Sequence, residues 1–162
     1  MKTLNRLLAV ATLGLVGCSE LTGSRDVVAL SYRDYADATD KRAFELGWLP
    51  QQTPKSAINI VEVHNVDSGE VWAKFSGSQA DLIEFVSRCE RNVDPSLPDA
   101  RRTSRAAAWW PEPLVADADG GELGPWAFYT CRQMRHAGAV VTAGAAIDGS
   151  GETLFYWISK GT

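Results

Sequence analysis

Apolar positions along this chain recur with a period of two in some stretches and of three to four in others, and the two periods predict different elements. Ile58–Val66 and Glu70–Phe75 alternate around Asp67-Ser68-Gly69, which predicts a β-hairpin whose glycine takes positive φ. Setting Val66 opposite Glu70 pairs Val61 with Phe75 and Val63 with Ala73 on an apolar face. The same register pairs Glu62 with Lys74 and His64 with Trp72 on a polar one. Ile58 and Ile60 fall on the polar side, which calls for a bulge or partial cover there. Ala139–Ile147 and Glu152–Ser159 predict a second hairpin over Asp148-Gly149-Ser150-Gly151, with Phe155 lying over Gly144, and Trp126–Met134 predicts a further strand. Leu82, Phe85, Val86 and Cys89 follow a helical stripe from Ser78, with Asp81 completing a capping-box-like start. Asp34–Leu46 predicts another helix, with Asp34 as its cap, Asp37 in its first turn and Gly47 beyond its end. The sum is an α+β domain. An antiparallel sheet of about five strands carries two helices packed on one face.

The start of the chain is patterned differently. Met1–Arg6 is short and basic, and Leu7–Val16 is almost wholly apolar. That run is too short to span a bilayer, which takes roughly 20 residues, but suits an export signal. It closes on Leu15-Val16-Gly17-Cys18, which resembles the lipobox of bacterial lipoproteins. The resemblance implies diacylglycerol on the Cys18 thiol, cleavage after Gly17 and acylation of the new amine. It divides the chain into a signal peptide (1–17), a lipidated tether (18–30) and one domain (31–162). A tether of some 12 residues reaches at most about 40 Å. Ser19, rather than aspartate, follows the cysteine, which resembles lipoproteins sorted to the outer membrane and facing the periplasm.

Charge and cysteine count narrow the picture further. The net charge of −4 becomes −6 once Lys2 and Arg6 leave with the signal peptide. An acidic body argues against nucleic acid, which demands a basic face. Cys18 being committed to lipid, Cys89 and Cys131 remain as an even pair in a compartment that permits disulfides. Bridged, they would close a loop of about 43 residues; the alternative is two separate buried thiols.

Candidate chemistry is sparse. Glu62, His64 and Trp72 can meet across the first hairpin, either as a site or as a solvated sheet face with one ion pair. His136 sits in Arg135-His136-Ala137-Gly138, expected to be a surface turn. Arg101, Arg102, Arg105, Trp109 and Trp110 form the most suggestive surface group, since arginine and tryptophan anchor interfaces; the alternative is two tryptophans packing a loop onto the sheet. Asp117, Asp119 and Glu122 form an acidic turn. No metal site, cofactor or catalytic set is expected: there is no phosphate loop, no dinucleotide fingerprint and no nucleophile elbow.

Gly47-Trp48-Leu49-Pro50, Pro54-Lys55-Ser56-Ala57 and His64-Asn65-Val66-Asp67, with Trp72 and Phe75, resemble the YbbD-head-like domain of small bacterial proteins over roughly residues 33–90. Thr53 stands where the pattern has leucine. The resemblance implies a domain and no activity. The expectation is therefore a membrane-anchored envelope lipoprotein, non-enzymatic, meeting another envelope protein. The alternative is a periplasmic binder of a glycan or small anion.

Overall fold

The computed structural model describes residues 26–92, 109–111, 114, 125–136 and 138–158. Seven strands form one antiparallel sheet: β1 (Val27–Asp34), β2 (Ile58–Asn65), β3 (Val71–Ser76), β4 (Glu90–Asn92), β5 (Ala127–His136), β6 (Ala139–Ile147) and β7 (Thr153–Ile158). Their spatial order is β1-β2-β3-β7-β6-β5-β4, so the last strand of the chain lies in the middle of the sheet. Helices α1 (Tyr35–Asp40) and α2 (Gln79–Val86) pack into the same core cluster on one face. The α+β class stands, but the sheet has seven strands rather than five. β1 begins at Val27, inside the stretch expected to be tether, and β4 is too short to show a period.

Both helix starts follow from their caps. The Asp34 carboxylate accepts the Asp37 backbone N–H at 2.9 Å. The Ser78 hydroxyl accepts the Asp81 N–H at 3.2 Å and donates to the Asp81 carboxylate at 2.6 Å. The first helix is shorter than expected: α1 ends at Asp40, and the chain turns through Arg42 and Gly47, both at positive φ.

Both faces of the sheet are covered, and this explains why the first hairpin pairs differently from the expected register. Val63 lies opposite Trp72, Glu62 opposite Ala73 and His64 opposite Val71, one residue out of the expected step. A one-residue slip sends every side chain to the other face. Ile60, Val71, Ala73 and Phe75 therefore face the helices together with Glu62 and His64, while Val63 and Trp72 join a second core with Phe128, Phe155 and Trp157. The loop is four residues long. The Asn65 N–H donates to the Glu70 carbonyl at 2.9 Å, while the Asn65 side-chain oxygen accepts the N–H groups of Asp67 and Ser68. The irregularity at Ile58 and Ile60 is a bulge centred on Asn59, which adopts φ 52°. It leaves Ile58 exposed and Ile60 buried.

The second hairpin keeps the expected faces but shifts by two residues, with Ala145 opposite Tyr156 and Ile147 opposite Leu154. Asp148 sets the longer loop by accepting the N–H groups of Glu152 and Thr153 on one oxygen. In consequence Trp157, not Phe155, lies over Gly144, so closely that any β-carbon there would collide with the indole.

The cysteines form a disulfide, Cys89–Cys131, with their Cα atoms 4.3 Å apart. It fastens the segment after α2 to β5. Among the described residues no helix is long and apolar enough to cross a membrane.

Candidate functional site

Alternation along β2 puts residues 60, 62 and 64 on one face, so Glu62 and His64 point together into the helix-side core. Glu62 is wholly buried and His64 is 4% exposed. The His64 Nδ1 lies 2.9 Å from one Glu62 oxygen, and the Tyr32 hydroxyl donates to the other at 3.3 Å. The His64 ring stacks on the Trp48 indole at 4.6 Å and 12°. Burial holds the Glu62 carboxyl above the usual carboxylate range, against the opposing pull of its bonds to His64 and Tyr32. Burial and the neighbouring Glu62 charge likewise push the Tyr32 phenol up. Lys41 caps the cluster, its Nζ 5.4 Å from the Tyr32 ring centroid.

This overturns the solvated-face reading of Glu62 and His64. Glu62 pairs with His64, not with Lys74, and Lys74 instead stands 5.1 Å over the Trp109 ring on the opposite face. Trp72 also lies on that opposite face, so it shares no site with His64. Tyr32 and Trp48 complete the cluster and were not anticipated. The readable signal for Trp48 was its place in the Gly-Trp-Leu-Pro run, where Gly47 at φ 77° turns the chain and Leu49 and Pro50 are buried.

The other motif residues tie neighbouring segments together. The Thr53 hydroxyl donates to the Pro50 carbonyl at 2.7 Å, which lets a polar residue be buried there. The Ala57 carbonyl accepts the Tyr35 N–H at 3.0 Å. The Ser56 hydroxyl donates to Asp81 at 2.6 Å, joining this loop to the start of α2.

Residues 26–76 match the YbbD head domain family. The head segment therefore runs from β1 to the end of β3, starting earlier and stopping sooner than the sequence pattern suggests. It contains Tyr32, Trp48, Glu62 and His64, so the whole buried polar cluster belongs to it. No curated protein and no solved structure matches the chain.

Outside the head segment, Trp110 is 7% exposed and meets Phe155 and Trp157 edge-to-face at 5.7 and 5.8 Å. Its Nε1 donates to the Leu114 carbonyl at 3.3 Å. It packs a loop onto the sheet and is no surface anchor; Trp109 beside it is half-buried. Arg101, Arg102 and Arg105 lie outside the described residues, as do Asp117, Asp119 and Glu122. Among the described residues no cluster of three metal-ligating side chains occurs.

His136 is a correction as well. It ends β5 and is 8% exposed rather than on a surface turn. Burial lowers its pKa to about 4, so the folded ring is neutral where the unfolded one still takes a proton. Its contribution to stability is present above the ordinary value of 6.5 and is lost as pH falls towards 4. At about 1.4 kcal/mol per unit the loss approaches about 3 kcal/mol. Urea denaturation at pH 7 and pH 4.5 should show this loss in the wild type and a markedly smaller one in His136→Leu. Parallel profiles would remove His136 as its source.

An open groove of about 790 Å³ runs beside α2, floored by Pro54, Phe85 and Met134. Lys55, Arg88 and Arg132 stand on its rim together with Asp81 and Glu84.

Proposed function

We propose that this protein is a membrane-anchored envelope lipoprotein whose single domain serves as a non-catalytic protein-interaction module. The observation that carries the reading is the fate of the three cysteines. Two are joined to each other, which leaves Cys18, at the close of the apolar run, as the remaining thiol. A disulfide suits an oxidising compartment, and a lone thiol in Leu15-Val16-Gly17-Cys18 suits lipid attachment. Each buried methylene of such a lipid contributes about 0.8 kcal/mol, so two or more chains hold the protein firmly. The well-formed polar cluster among the described residues lies in the core, where it ties together β1, β2 and the Trp48 turn. That is the position of a structural element rather than of a reacting centre.

Intact-mass measurement of the protein isolated from envelopes tests the anchor. The expected mass is that of residues 18–162 plus diacylglycerol and an acyl chain, and Cys18→Ala should remain uncut. A wild-type chain that keeps its first 17 residues, or begins unacylated, removes the reading.

One observation favours the alternative of a small-anion-binding lipoprotein. The groove beside α2 gathers three cationic side chains on a chain whose net charge is negative.

A further inference from the structure

We propose that the groove beside α2 binds the free C-terminal carboxylate of a peptide whose last residue is apolar. Arg88 directly precedes Cys89 and Arg132 directly follows Cys131, so the disulfide holds the roots of both arginines close together, and both side chains line the groove. Two like charges fixed near each other repel, and an anion placed between them offsets the repulsion. Among the described residues neither guanidinium is firmly engaged. Arg132 faces Glu90 at 3.7 Å with both side chains mostly in solvent, and Arg88 makes no ion pair among the described residues. Guanidinium groups match a carboxylate with paired N–H donors, a geometry that selects planar oxyanions.

The floor supplies the second half of the recognition. Phe85 and Met134 belong to the helix-side core, yet both also line the groove. Together they give an apolar side chain a surface to rest on, and an unbranched thioether adapts to different shapes.

Asp81 and Glu84 line the same groove and repel an anion that comes near them. Asp81 is held at the start of α2 by the hydroxyls of Ser56 and Ser78, which keep its carboxyl below the usual range. Lys55, next to Ser56, offsets part of that charge. Arg88 lies two residues beyond the end of α2, outside the helix that carries Asp81 and Glu84.

The proposal gives the interaction module described above a partner chemistry and rests on that reading. The mass measurement tests the anchor and the following titration tests the groove, so either can fail alone. The full oxidised chain is titrated with acetyl-Ala-Ala-Leu carrying a free carboxylate, and with the same peptide as its C-terminal amide. Met134 and Met1 are the two methionines of the sequence, so a methyl-labelled sample reports on the groove floor directly. The expected result is a shift of the Met134 methyl signal, with at least tenfold tighter binding of the carboxylate peptide. Arg88→Gln and Arg132→Gln should each cut that preference at least fivefold while leaving the melting temperature within a few degrees. Equal binding of the two peptides, a preference untouched by both substitutions, or no shift at millimolar peptide would each overturn the proposal.

Discussion

Replacing Cys89 and Cys131 together by alanine is expected to lower the unfolding free energy by about 4 kcal/mol. The bridge spans a sequence separation of 42 residues. In the unfolded chain it forbids every arrangement in which those ends are apart, and for a loop of this length the entropy removed is worth about 4 kcal/mol. Cys131 is also fully buried, so its truncation adds the cost of a small void. For a domain of this size the melting temperature should fall by roughly 15 °C. Calorimetry of the double variant, set beside the wild type with and without reductant, checks this. A reduced wild type that melts where the oxidised form does would show that the link contributes nothing. The effect should be greatest in β4 and β5, because β4 pairs only through Glu90, Arg91 and Asn92 and lies next to the bridge.

His64→Leu is expected to cost about 3–5 kcal/mol near neutral pH, the usual consequence of leaving a buried charge without its partner. Glu62 would keep the Tyr32 hydroxyl, but at 3.3 Å this is the longer of its two bonds. The dependence on pH distinguishes this cause from simple loss of packing against Trp48. A buried carboxyl whose folded pKa is raised binds its proton more tightly folded than unfolded. Its burden on stability is therefore absent below the ordinary value of 4.5 and grows as pH rises through the folded value. Removing His64 takes away the main opposing influence and widens that window upward. Denaturation at pH 4 and pH 7 should give a small loss relative to wild type at the lower pH and the full loss at the higher. Adding Glu62→Gln should recover part of it, since the group left in the core is then neutral. A loss of the same size at both pH values would assign the effect to packing alone.

The contrast between what the sequence disclosed and what it did not follows from the two-sided core. Caps are local: Asp34 with Asp37 and Ser78 with Asp81 need only residues a turn apart, and both formed as expected. Hairpin faces were judged by sorting apolar from polar, which works when one face meets water. Here Val63 and Trp72 are buried on one side while Ile60, Phe75 and Tyr156 are buried on the other, so the cleaner sorting picked the wrong step. The second hairpin kept its faces because an error of two residues preserves parity. β1 escaped notice because Val27-Val28-Ala29-Leu30 shows no period and sits where a tether was expected. The partnership of Glu62 with His64 was visible as two positions on one strand face. Tyr32 and Trp48 were not visible as their partners, because they reach that face from 30 residues upstream and from a turn, respectively. The groove was invisible in principle, since it brings together the 52–56 turn, α2 and β5.

The order of the strands has a consequence for how the molecule comes into being. β1, β2 and β3 can pair as neighbours while synthesis continues, and β5 and β6 can do likewise. Within the sheet β3 and β6 are joined only when Thr153–Ile158 slots between them; until then the Cys89–Cys131 bridge and the short β4–β5 pairing are the links between the halves among the described residues. A chain shortened by only ten residues would lose its central strand and leave two unzipped edges, each a template for aggregation. The far end of the polypeptide thus decides whether the beginning has anything to close against.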